Sequence, residues 1–166
     1  MARALGVSVH TGWAACVVVD GTPKRPQIVA NQIIDILGDA ERFCYHMAAE
    51  MERTEARKWL ARLRVKALKN ARGALSPLVA HKPAFCAIVA NDGDADDLDY
   101  VLAAHPRIHT AEGRFYRDIL REACRIPVHI VPPKTLDASA VAKLAVRPWG
   151  RDQRLAALAG WSLLRR

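Results

Sequence analysis

The chain has 166 residues, with 25 Lys and Arg against 17 Asp and Glu, and a formal net charge of +8. Hydrophobic residues make up 51%, too much for a disordered chain, and 9 Gly with 9 Pro exclude collagen-like or low-complexity structure. No stretch reaches the roughly 20 apolar residues of a membrane span, and the basic excess favours an acidic partner.

Residues 4–10 and 13–19 read as two strands. Val7, Val9, Val17, Val18 and Val19 are β-branched, and Thr11-Gly12 between them suits a tight hairpin. Asp20-Gly21-Thr22-Pro23 makes a turn into a third strand over 27–36, and Asp39 is a plausible helix N-cap. From about Ala40 to Leu75 the period turns helical, with Phe43, Met47 and Met51 four apart and Leu60, Leu63, Ala67, Ala71 and Leu75 continuing the stripe. One long helix or a helix pair is expected there. Ala84–Ala90 is a fourth strand, and a short helix follows near Asp96–Ala104. Thr110 is expected to cap a helix running to Ala123, and Val128–Val131 is a fifth strand stopped by Pro132-Pro133. Two short helices complete the chain, one over about Leu136–Ala145 and one starting near Asp152.

This order predicts one α/β domain over 1–166: a mixed five-stranded sheet, three antiparallel strands then two joined through helices, with helices on both faces. Cys16, Cys44, Cys86 and Cys124 form no CxxC pair and read as small buried hydrophobes. With no export signal at Met1-Ala2-Arg3, a reducing cytoplasm is the expected setting.

The element order resembles the ribonuclease H-like fold, shared by Holliday-junction resolvases of the RuvC type, transposases and actin-like ATPases. Gly6-Val7-Ser8-Val9-His10-Thr11-Gly12-Trp13 is similar to the first resolvase hairpin, and Lys82–Ala90 to its fourth strand. Residues from Glu112-Gly113-Arg114 to Cys124, then Ile126-Pro127-Val128, resemble its second helix and fifth strand. Pro148-Trp149-Gly150-Arg151-Asp152-Gln153 resembles the start of its last helix, where the family carries acidic residues. The resemblance implies an Asp on the first strand and an acid on the fourth. Ser8 stands at the first place, and the fourth strand is apolar until Asn91-Asp92. Asp152 alone keeps an expected acidic position. Two-metal phosphoryl transfer needs several carboxylates converging on two Mg²⁺, so the resemblance implies the fold and argues against the usual nuclease chemistry.

Alternation places Gly6, Ser8 and His10 on one face of the first strand. The resemblance implies that this face looks toward the active-site cleft, which would make Ser8, His10, Asn91, Asp92 and Asp152 neighbours. Ser8, His10, Asp92 and Asp152 are the candidate catalytic residues, with Asp92 and Asp152 the candidate metal ligands. A nucleophile–base–carboxylate arrangement is one reading of them, although no GxSxG elbow is present. The acidic run Asp92–Asp99 fails the EF-hand pattern and reads as a helix N-terminus, with a weak Mg²⁺ or Ca²⁺ site as the lesser reading. His105 and His109 have ligand spacing, but Pro106 between them argues against a regular helix and no Cys or third His is expected near, so they read as loop residues.

Residues 41–82 carry ten basic and four acidic side chains. Arg57, Arg62, Arg64, Lys66 and Lys69 form a stripe on the long helix, and those from Arg62 onward have no acid close in sequence. Arg114, Arg117 and Arg121 form a second stripe, with Asp118 and Glu122 beside it. Such stripes suit phosphates. Three functions are therefore weighed. The first is a nucleic-acid-binding protein without the two-metal centre. The second is a nuclease using Mg²⁺ held by the displaced carboxylates Asp92 and Asp152. The third is a protein-interaction module, forming a homodimer through the helix from Phe43 to Leu75. Mg²⁺ is implied only by the second, and no membrane is implied by any.

Overall fold

The β-branched run at the start of the chain forms β1 (Ala4–Val9) and β2 (Trp13–Thr22), closed by a turn in which His10 N donates to Trp13 O at 2.9 Å. Gly12 takes φ +87° there, and a Cβ on it would come within 2.6 Å of Arg42 Cβ. Its carbonyl accepts from Ile36 N and Leu37 N, tying the turn to the far end of β3 (Arg25–Asp35). The computed structural model describes residues 2–137, 139–140 and 150–164. Within these lie β4 (Phe85–Val89), β5 (Val128–Val131) and five helices: α1 (Cys44–Ala49), α2 (Arg53–Val79), α3 (Leu98–Leu102), α4 (His105–Ala123) and α5 (Arg151–Leu164).

The sheet order is β3-β2-β1-β4-β5. β1, β2 and β3 are antiparallel neighbours, whereas β1–β4 and β4–β5 are parallel. Helices cover both faces, as the element order leads one to expect. Strand alternation decides which residues meet which helices. Leu5, Val7, Cys16, Val18, Cys86 and Ile88 pack with Leu63, Ala67 and Ala71 of α2 and with Tyr116, Ile119 and Leu120 of α4. Ala4, Val17, Val19, Ala87 and Val89 meet the Ala-rich face of α5. Gly6 lies under α5 as well, where a Cβ would stand 1.7 Å from Ala156 O. Only a glycine lets two backbones approach that closely.

All four cysteines are free and buried, with Cys124 Sγ 3.4 Å from Cys86 Sγ. Burial pushes the Cys44 thiol up to about 12, so the reactive thiolate is suppressed there.

The structure differs from the sequence expectation at several ends. The helix expected from Ala40 is a pair, and Asp39 does not cap it: α1 begins at Cys44, while Asp39 pairs with Arg42 at 3.0 Å. Glu52 caps α2 by accepting from Thr54 N at 2.8 Å, and the helix runs through Pro77 to Val79. α4 starts at His105, not after Thr110. Pro106 falls in the first turn, where a missing N–H costs nothing, and Thr110 Oγ1 donates to Pro106 O within the helix. The acidic run does cap a helix: Asp97 accepts from Asp99 N at the start of α3. A 3-10 turn spans Pro133–Thr135, and most of the helix expected over Leu136–Ala145, like Pro148-Trp149, lies outside the described residues. No helix among the described residues is long and apolar enough to cross a membrane.

Gly73 sits inside α2 with nothing within 4 Å of a Cβ built on it. Gly73→Ala is expected to raise the unfolding free energy by about 1 kcal/mol, since alanine loses less backbone freedom in a helix. Urea denaturation checks this, and an unchanged midpoint would contradict it.

Candidate functional site

The carboxyl ends of the parallel pair β1 and β4 open onto a cleft of about 410 Å³. In open α/β sheets this is where ligands bind. Val9, His10 and Thr11 line it from β1, Asn91 and Asp92 from the end of β4, and His109, Gly113, Arg114 and Arg117 from α4. α5 adds a carboxylate beside it. Because Gly6 lets α5 sit against β1, Asp152, one turn before Ala156, reaches the end of the strand. Its Oδ1 lies 2.7 Å from His10 Nε2 and accepts from Ser8 Oγ at 3.4 Å. The short contact needs a proton on Nε2, since a carboxylate only accepts. His10 also stacks on Trp13, with centroids 4.2 Å apart and planes 7° apart.

Ser8, His10 and Asp152 are thus together, in an order that does not activate a nucleophile. The carboxylate stands between hydroxyl and imidazole, whereas a nucleophile's base must touch the hydroxyl itself. Asp92 borders the same cleft as His10, and its Oδ1 accepts from Gly93 N at 3.0 Å. No contact joins its side chain to the Asp152 group among the described residues.

The basic stripes are less free than their local sequence suggests. Arg57 reaches Asp99 at 3.4 Å and Lys66 reaches Glu41 at 2.5 Å, while Arg64 and Arg72 both meet Glu122. The stretch from Arg62 onward is therefore not an unneutralised stripe, because acids from other elements fold onto it. On α4, Arg114 pairs with Asp96 at 2.6 Å. Arg117 is only 5% exposed: Nε donates to Asp118 at 2.8 Å, and a terminal nitrogen donates to Asn91 O at 3.0 Å. It anchors the end of β4 and is too buried for a phosphate surface. Of the stripe residues, Lys69 and Arg121 carry no ion pair among the described residues, and Arg62 lies 5.3 Å over the Trp59 ring. Arg151 and Arg154, on the first turn of α5 beside Asp152, are exposed basic residues that the stripe pattern did not single out. Their neighbourhood to the cleft comes from the docking of α5, which charge spacing along the chain does not encode.

No protein-family model matches the chain, and neither does any curated protein. Among solved structures, RuvC of T. thermophilus in complex with a Holliday junction substrate aligns with a TM-score of 0.61 at 9% identity, covering 98% of this chain and 92% of that one. A Thermus thermophilus RuvC structure aligns with a TM-score of 0.50 at 13% identity, covering 96% and 92%. The chain has the ribonuclease H-like fold. In this ribonuclease H-like sheet, the strand position at which the sequence resemblance implied an Asp is Ser8, a neutral hydroxyl turned onto Asp152. The β4 end is Ile88-Val89, and its first carboxylate, Asp92, comes three residues after the strand ends.

Proposed function

We propose that the chain binds nucleic acid across this cleft without the carboxylate set of a two-metal nuclease. The observation that carries this reading is the bonding of Asp152. It is engaged by Ser8 and His10, where two Mg²⁺ ions would require further carboxylates converging beside it. The similarity to a RuvC described with a Holliday junction substrate, over nearly the whole of both chains, supports a nucleic-acid partner. Lys69 and Arg121, which carry no ion pair among the described residues, and Arg151 and Arg154 beside Asp152 are exposed cations available to phosphates. Arg57, Arg64, Lys66 and Arg114 are held in exposed pairs, each worth only about 0–1 kcal/mol, so a phosphate competes well for them.

Fluorescence anisotropy with labelled duplex and four-way-junction DNA tests the reading. With about four phosphate contacts, affinity is expected to fall about 100-fold between roughly 50 and 200 mM salt. A Lys69→Glu/Arg121→Glu/Arg154→Glu variant should weaken binding at least about tenfold and flatten that salt slope. No binding at low salt, or binding indifferent to the three reversals, would sink the proposal.

A second reading is favoured by one observation, the presence of Asp92 and the His10–Asp152 pair around one cleft. It is Mg²⁺-dependent cleavage, and it requires strand scission that Asp152→Asn and Asp92→Asn each abolish.

A further inference from the structure

α4 begins earlier than its sequence suggests, and this changes what His105 and His109 can do. As helix residues at i and i+4 they share one face. α1 packs across that face and brings His46, remote in sequence. The three rings cluster, with centroid separations of 5.1 Å for His46–His105, 4.6 Å for His46–His109 and 4.5 Å for His105–His109. One candidate ligand nitrogen from each lies within 4.8 Å of the other two.

We propose that His46, His105 and His109 bind a borderline divalent transition-metal ion of the Zn²⁺ class. Three observations point the same way. First, the donor set suits such an ion. Imidazole nitrogen favours Zn²⁺, Co²⁺, Ni²⁺ and Cu²⁺, while Mg²⁺ and Ca²⁺ prefer oxygen. Second, the spacing can close. Zn–N bonds of about 2.0–2.1 Å put tetrahedral ligand nitrogens about 3.3 Å apart, and His105 and His109 are exposed and free to turn inward from 4.8 Å. Third, a buried carboxylate stands behind the cluster. Glu112 is 1% exposed, accepts from Tyr45 N and His46 N at 3.1 and 3.2 Å, and has Oε1 3.0 Å from His46 Nδ1. That nitrogen is buried and makes no aligned hydrogen bond. A carboxylate behind a histidine orients the ring and raises its basicity as a ligand.

The positive end of α4 opposes any cation here, and the Glu112 carboxylate offsets it. Three protein ligands leave a position open on a tetrahedral ion, and His109 also lines the cleft. The site does not depend on the nucleic-acid reading.

Protein purified without a histidine tag and stripped with chelator tests it in the absence of nucleic acid, by calorimetric titration with Zn²⁺ and absorption titration with Co²⁺. One ion per chain is expected, tighter than about 0.1 mM, with the intense visible bands of four-coordinate Co²⁺. His105→Ala and His109→Ala lie at exposed positions and should retain the native circular dichroism. Each should weaken Zn²⁺ binding by at least about tenfold, and millimolar Mg²⁺ should not displace the ion. His81→Ala and His129→Ala should leave it unchanged. Absence of saturable binding, or a His105→Ala/His109→Ala double variant that binds as tightly as the parent, would overturn the proposal.

Discussion

Gly6→Ala is expected to lower the unfolding free energy by about 3 kcal/mol or more, at or above the usual range for overpacking. The added Cβ would stand 1.7 Å from Ala156 O and 2.9 Å from Gly160 N, so it meets helix backbone. No rotamer change relieves such a clash. Either α5 moves away from β1 as a unit or β1 shifts in the sheet. Chemical denaturation measures the loss, and Gly38→Ala is the control, since nothing lies within 4 Å of a Cβ there. Movement of α5 also pulls Asp152 from His10, so a partly folded variant should lose whatever the cleft binds. A variant as stable as the parent would mean that α5 does not pack on β1 as described.

Glu112→Ala is the second large effect, expected to cost about 3 kcal/mol. The carboxylate is buried and accepts from two backbone N–H groups in the first turn of α1. A hydrogen bond to a charged group contributes about 1.5–3 kcal/mol, and removing the acceptor leaves both donors unsatisfied. Glu112→Gln keeps one carbonyl acceptor and should cost less, about 1 kcal/mol. The ordering of the two variants separates a capping role from simple packing, because alanine and glutamine would otherwise differ only by volume. Equal stability of all three proteins would contradict it.

The fold was legible where local chemistry decides it. Val-rich runs make β1 and β2, and the four-residue spacing of Leu63, Ala67, Ala71 and Leu75 is the buried face of α2. Alternation along β1 put Ser8 and His10 on one face, and the contacts of Asp152 with both lie on that face. Legibility ended where partners come from far along the chain. Arg64 and Glu122 are 58 residues apart, so counting acids near the basic stripe missed the pair. His46 belongs with His105 and His109 only because α1 lies across α4. Pro106 misled for a different reason. A proline ends a helix in its interior and is welcome in its first turn, and sequence alone left open which applied.

The strand order also has a kinetic consequence. β1, β2 and β3 pair with immediate neighbours in the chain, whereas β1 meets β4 only after the whole of α1 and α2 has been spanned. Local pairings close cheaply and distant ones slowly, so the meander is expected to fold before the parallel half of the sheet. The Ser8–Asp152 contact bridges 144 residues and waits for α5 to dock. The Asp152 side of the cleft therefore forms only once α5 has docked. A ligand held by both His10 and the first turn of α5 would bind only the finished chain, and by mass action would stabilise all of it at once.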